Sequence, residues 1–108
     1  MPFAERQAKG ITRCVVEAGI EPDRLRFHIS EIAPGTRAHP PHTHAAVEAF
    51  YVLEGHGVVE IGDPAGGSPV ERHELGPNEA LILDARTLHG LENTGATVMR
   101  YMVIITAA

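Results

Sequence analysis

Apolar residues along this chain fall into short segments cut by Gly, Pro, Asp and Asn. That spacing is the one expected of an all-β sandwich or barrel, and no segment carries a sustained 3.6-residue apolar period. Residues 11–17 predict a first strand, and 19–23 (GIEPD) a turn with Pro22 as breaker. Residues 24–32 alternate, with Leu25, Phe27 and Ile29 on one side and Arg26, His28 and Ser30 on the other. This is the pattern of a half-buried strand, and Pro34-Gly35 ends it. Residues 47–53 predict the next strand, closed by Gly55 and Gly57, and 58–61 continues into a Gly- and Pro-rich stretch over 62–69, read as an exposed hairpin tip. Residues 70–75 form a polar strand at a sheet edge, Gly76-Pro77-Asn78 turns the chain, and 80–83, 88–92 and 98–106 are the last strands. Within an N-terminal arm over 1–10, residues 5–9 are open to a short helix.

Two of these strands are apolar on both faces. In 47–53 the Glu48 face continues as Phe50 and Val52, while Ala49, Tyr51 and Leu53 hold the other. Residues 98–105 are almost continuously apolar, broken only by Arg100. A strand buried on both faces needs a second layer outside the sheet, and a chain of 108 residues has little left to supply one. The pattern predicts a homodimer, with strands or the N-terminal arm of one subunit covering the other.

Composition narrows the class. The length gives one domain, 1–108. The 44% hydrophobic and 21% charged residues are ordinary for a soluble globular protein, and no apolar run is long enough to span a bilayer. Residues 1–10 carry Glu5, Arg6 and Lys9, unlike a secretory signal. The net charge of -5, with no basic stripe, argues against nucleic acid and anionic membrane as partners. The single cysteine, Cys14, allows no internal disulfide and no Cys-rich zinc site. It lies in an apolar run and reads as a small buried hydrophobe, which together points to a reducing cytoplasm.

Seven histidines are the unusual count, and His39, His42 and His44 crowd six positions. His42, His44 and Glu48 are spaced H-x-H-x-x-x-E, and His89-x-x-x-Asn93 echoes the pattern near the C-terminus. Alternate residues of a strand share a face, so His42 and His44 reach one point and Glu48 shares their parity. A third imidazole arriving from elsewhere would complete a set of three histidines and one carboxylate, which divalent first-row metals accept.

In these residues the chain resembles a cupin. The family's first motif, G-x5-H-x-H-x3,4-E-x6-G, is met by Gly35, TRAHPP, His42-Thr43-His44, AAV, Glu48, AFYVLE and Gly55, with the leading glycine one residue further away than the pattern asks. The second motif, G-x5-P-x-G-x2-H-x3-N, is met by His89-GLE-Asn93, within a stretch running from Gly76 to Asn93. Upstream it departs: Asp84 and Arg86 stand where the pattern has Pro and Gly, and Gly76 lies two residues too far. A glycine in that turn serves positive φ, which Arg86 would adopt only with strain.

The resemblance implies an all-β, double-stranded β-helix (jelly-roll) barrel holding one divalent transition metal (Fe, Mn, Ni, Cu or Zn) through His42, His44, Glu48 and His89, with Asn93 structural. Three neutral histidines and one carboxylate leave such a centre net positive, which favours a small anionic, chelating substrate. A dioxygenase is the first reading of function and an isomerase or lyase, with Glu48 as a base, the second. The alternative is a non-catalytic small-molecule-binding or sensor protein, since fold does not fix function. His39 is either a loop residue or an outer donor to the site. Arg100 either faces the cavity and holds a substrate carboxylate bidentately or snorkels outward. Tyr51, opposite in parity to Glu48, packs outside, and Phe50 and Val52 line an apolar pocket. His28, His56 and His73 receive no role.

Overall fold

The computed structural model describes residues 3–21, 24–62 and 71–107. Nine strands account for all regular structure among them: β1 (Phe3–Arg6), β2 (Cys14–Glu17), β3 (Leu25–Ile32), β4 (Val47–Glu54), β5 (Gly57–Gly62), β6 (Glu71–Leu75), β7 (Ala80–Asp84), β8 (Leu88–Glu92) and β9 (Met99–Thr106). No helix of the described residues is long and apolar enough to cross a membrane. The strands predicted from 24 onward are found within two residues of their expected ends. The hairpin tip expected over 62–69 lies, beyond Gly62, outside the described residues, as do Pro22 and Asp23 of the first turn.

The N-terminus departs from expectation. Residues 5–9 are not helical: β1 pairs antiparallel with β2, from Phe3↔Glu17 to Arg6↔Cys14. The Ala, Glu, Arg, Gln and Lys of this arm are good helix formers, but propensity yields where a neighbouring segment offers a ladder. The first predicted strand shrinks from 11–17 to Cys14–Glu17 because residues 9–12 cross over β3 instead. Gly10 sits at φ +69, and a Cβ there would stand 2.0 Å from the Ile29 carbonyl oxygen. The Ile11 N–H donates to that same oxygen at 2.9 Å, and the Ile29 N–H donates to Thr12 Oγ1.

The remaining strands build two antiparallel sheets, ordered β3-β9-β4-β7 and β6-β5-β8, with the polar strand β6 at an edge as expected. Their inner faces meet in a core of Ile32, Phe50, Val52, Leu83, Met99, Tyr101 and Val103 from the first sheet and Val59, Leu75 and Leu91 from the second. Gly55 (φ +83) closes β4, where a Cβ would lie 3.0 Å from both Met99 Cα and the Val98 oxygen. The turn at 76–79 is clamped to β4: Asn78 N–H donates to the Val52 carbonyl at 2.8 Å and Val52 N–H to that of Glu79 at 3.0 Å.

Register fixes the two faces of the larger sheet. Arg26↔Ile105↔Glu48↔Leu83, His28↔Val103↔Phe50↔Leu81 and Ser30↔Tyr101↔Val52 point inward. The rows Leu25↔Thr106↔Val47↔Asp84, Phe27↔Ile104↔Ala49↔Ile82 and Ile29↔Met102↔Tyr51↔Ala80 point outward. The sheet is therefore apolar on its outer face too, with Leu25 47%, Phe27 41%, Val47 43% and Ile82 73% exposed. In β3 the alternation is inverted relative to a simple amphipathic strand: Arg26, His28 and Ser30 face the interior and the apolar residues face out.

Candidate metal centre

His42 and His44 were expected on a strand. They lie just before β4, in a segment held extended only locally. His42 and His89 exchange both backbone hydrogen bonds at 3.0 Å, His44 N–H donates to the Ala85 carbonyl at 2.9 Å, and Ala85 N–H to that of Ala46 at 2.9 Å. Pro40 and Pro41 offer no N–H and keep a longer ladder from forming. The parity argument survives, because the His42–His89 bridge imposes the alternation that a strand would have imposed. His89, on β8, is brought in from the opposite sheet.

The three imidazoles present ligand atoms within 4.8 Å of one another and could hold a metal ion. Glu48 joins them through two of the rings: its Oε2 lies 3.1 Å from His44 Nε2 and 2.9 Å from His89 Nε2. Bonds of about 2.1 Å at right angles place neighbouring donors about 3.0 Å apart, so both spacings match adjacent ligands of one octahedral ion. His89 Nδ1 lies 2.8 Å from the Thr87 carbonyl, which only accepts, so Nδ1 carries the proton and Nε2 presents its lone pair to the site when the ring is neutral. That buried Nε2, although 2.9 Å from the Glu48 oxygen, has no aligned hydrogen-bond partner. A lone pair facing a carboxylate oxygen at this distance needs a proton or a cation between them, and the donor set fits a divalent metal.

The electrostatics follow. Burial alone would raise the Glu48 carboxyl, but His89 and His44 hold it below the usual carboxylate range. Burial would lower His89, yet contact with Glu48 and the bond to Thr87 leave it raised. His42 is lowered, first by burial and then by the rings of His39, His89 and His44, against an opposing contribution from Glu48. His39 stacks on His42 with ring centroids 4.0 Å apart, its Nδ1 2.8 Å from the Pro40 carbonyl; it is not one of the converging imidazoles.

Asn93 is fully buried and structural. Its Nδ2 donates to the carbonyls of Ile32 at 2.9 Å and Thr97 at 2.8 Å, and its Oδ1 accepts from Gly95 N–H at 2.9 Å. The turn before His89 forms without a glycine. No residue there has positive φ: Thr87 N–H donates to the Asp84 carbonyl at 3.0 Å, and the Asp84 carboxylate accepts from Arg86 N–H at 3.0 Å and Nε at 3.2 Å. Arg100 belongs to the outward set, in register with Glu31, and does not line the cavity. Tyr51 likewise faces out, its hydroxyl donating to Asn78 Oδ1 at 3.2 Å.

His42, His44 and Glu48 open onto a cavity of about 570 Å³, with Phe50, Leu91, Val103 and Ile105 as apolar lining, while His89 is fully buried behind them. Val52, expected there, is packed in the core instead. The same cavity is lined by Lys9, Arg26, His28, Ser30 and Tyr101. Sequence reasoning passed over these residues. For Arg26, His28 and Ser30 the signal was the polar side of the 24–32 alternation, which reads as a solvent face unless a polar cavity is known to lie behind it; Lys9 and Tyr101 carried no such signal.

A jelly-roll of two antiparallel sheets with this histidine-carboxylate cluster defines a class, and comparison agrees with it. The cupin-domain family model matches residues 28–105, and the chain belongs to the cupin family. Among solved structures it is similar to a protein from Thermus thermophilus (25% identity, TM-score 0.67, covering 82% of this chain and 77% of that one). It is also similar to a cupin superfamily protein from Desulfitobacterium hafniense (17%, 0.66, 82% and 72%). A third is a predicted oxalate decarboxylase from Thermotoga maritima (24%, 0.65, 79% and 69%). At the identities of the last two, the likeness is one of fold. No curated protein matches the chain in sequence.

Proposed function

We propose that the protein is a metal-dependent enzyme whose cavity admits a small anionic substrate to a centre formed by His42, His44, Glu48 and His89, with oxidative cleavage by dioxygen as its reaction. The observation that supports this reading is the convergence of three imidazoles and one carboxylate at a 570 Å³ cavity. A divalent transition metal bound there would supply Lewis-acid or dioxygen-activating chemistry. The protein supplies the rest. The single carboxylate offsets only one of a divalent ion's two charges, so an anionic chelate is favoured. Phe50, Leu91 and Val103 exclude water from the reacting end.

Isomerase or lyase chemistry with Glu48 as base ranks second. A carboxyl held below its usual range by two histidines is a weak proton acceptor. The test is oxygen uptake by protein reconstituted with each candidate metal, against a panel of 2-oxo acids, catechols and enolisable acids. Stoichiometric uptake with one substrate, abolished in His89→Ala, supports the enzyme. No uptake and no turnover with any metal, alongside tight binding of a small molecule, would establish the sensor alternative instead.

We also propose a cytoplasmic homodimer with a second copy seated on the outer face of the β3-β9-β4-β7 sheet. Leu25, Phe27, Ile29, Met102, Ile104, Val47, Ala49 and Ile82 make that face apolar across all four strands. A sheet apolar on both faces requires a second covering layer, and the β6-β5-β8 sheet already covers its inner one.

A further inference from the structure

The segment that carries His42 into the site is built around a bulge. Upstream, residues 36–38 run antiparallel to β8 and its extension: Arg37 pairs with Glu92, Ala38 N–H donates to the Leu91 carbonyl at 3.3 Å, and Asn93 N–H donates to that of Thr36 at 2.9 Å. Downstream, His42 pairs with His89. The stretch from 37 to 42 is thus matched by the shorter stretch from 92 to 89, and His39, Pro40 and Pro41 together stand opposite Gly90 alone. Gly90 makes room for them: a Cβ there would lie 3.2 Å from Pro41 Cγ and 3.4 Å from its Cα. Arg37 ties the upstream end down through its ion pair with Glu60 at 2.8 Å.

The bulge is stiff. Pro40 and Pro41 fix their own φ, and each holds the residue before it in the extended region, so His39 has little backbone freedom to lose on folding. Its ring is tied in turn: Nδ1 lies 2.8 Å from the Pro40 carbonyl, which only accepts, so Nδ1 carries the proton and donates. Although His39 is itself exposed, its ring is thereby set on that of His42, with centroids 4.0 Å apart and planes tilted by 37°. His42 is the imidazole that needs such support. His89 is fully buried with its Nδ1 held by the Thr87 carbonyl, and His44 is half-buried against Glu48. His42 is exposed, and no hydrogen bond from the described residues reaches its ring. A ligand histidine ordinarily has its ring oriented by a hydrogen bond at the second nitrogen; at His42 the neighbouring ring takes that place.

We propose that His39 is a positioning residue of the metal centre: carried on the stiff 39–41 bulge, its ring packs on His42 and fixes the plane in which that imidazole meets the metal. The inference rests on the reading of His42 as a metal ligand. His39 acts through its ring face, neither as a ligand nor as a hydrogen-bond donor to the site. An imidazole free to turn about its side-chain torsions loses that freedom when it binds a metal, and a ring already held in place binds with less to lose. The stack supplies this to the most exposed of the three imidazoles, through packing of the kind that aromatic pairs make elsewhere.

The test is Cu(II) binding to wild type, His39→Ala, His39→Asn and His39→Phe. Affinity is read by competition with a chelator, and the coordination by electron paramagnetic resonance of the loaded protein; melting of the metal-free proteins confirms that each is folded. Asn keeps a donor for the Pro40 carbonyl without a ring face, and Phe keeps a ring face without the donor. The expected result is an affinity loss of about 2- to 10-fold in His39→Ala and His39→Asn, with the number of coordinated nitrogens unchanged but the copper hyperfine lines broadened. Affinity and linewidth should both recover in His39→Phe. Wild-type affinity and lines in His39→Ala, or recovery in His39→Asn and not in His39→Phe, overturns the positioning role. Loss of a coordinated nitrogen in His39→Ala would make His39 a ligand and overturns it as well. Failure of wild type to bind any divalent metal would refute the metal centre and this role with it, whereas full binding without dependence on His39 would refute the role alone.

Discussion

Asn93→Ala should be strongly destabilising although it touches neither the cavity nor the metal ligands. The side chain is fully buried and satisfies three backbone groups, the carbonyls of Ile32 and Thr97 and the N–H of Gly95. The bond to Ile32 is buried, so its loss leaves an acceptor desolvated and costs about 1–3 kcal/mol. The bonds to Thr97 and Gly95 are partly buried and contribute about 0.5–1.5 kcal/mol each. The sum, about 2–6 kcal/mol, is a large share of a total stability of about 5–15 kcal/mol. With a urea m-value of about 1–1.5 kcal/mol/M for a chain of this size, the midpoint should fall by about 1.3–6 M at unchanged m. Asn93→Asp should lose at least as much, because a carboxylate cannot donate and would face two carbonyl oxygens. A midpoint shift below about 0.5 M for Asn93→Ala would refute the argument that this residue ties the 93–97 turn to the end of β3.

The remaining predictions concern pH and assembly. In metal-free protein the raised His89 contributes stability that is complete below its ordinary value of 6.5 and is lost as pH rises through the folded value, while the lowered Glu48 contributes stability present above 4.5 and lost as pH falls. The pair therefore stabilises most between those values. The melting temperature should drop between about pH 6 and about pH 9, by more in wild type than in Glu48→Gln; equal drops would contradict it. Metal affinity should run the opposite way, rising with pH as the His89 proton ceases to compete, as metal titrations at both pH values would read. Size exclusion with light scattering should give twice the 11.6 kDa of one chain, and Phe27→Asp should shift the mass toward 11.6 kDa; a wild-type mass of 11.6 kDa would sink the dimer.

The parts of this fold that were legible in sequence were those fixed by local chemistry. Gly, Pro and Asn marked most of the ends of β4 to β9, the β7–β8 turn excepted, because tight turns favour those residues. His42, His44 and Glu48 were legible because parity acts over a few residues; His89 was legible only as half of a paired motif, since nothing local says which strand will face which. The inverted β3 was not. Alternation tells that a strand has two faces but not which one faces in, and here the polar side of Arg26, His28 and Ser30 lines a cavity. Nor was β1, whose residues favour a helix and become a strand through pairing with Cys14–Glu17. The turn at Asp84 to Thr87 shows a third kind of limit: a missing glycine suggested strain, and the Asp84 carboxylate removed the need for it.

The central claim is that His42, His44, Glu48 and His89 are metal ligands. It is tested most directly by mass spectrometry of metal content in untagged protein, beside a His42→Ala/His44→Ala double variant confirmed to be folded. The account predicts about one equivalent of a divalent transition metal in wild type and its loss in the variant. No metal in wild type after reconstitution with iron, manganese, nickel, copper and zinc, or metal retained in the variant, would contradict it.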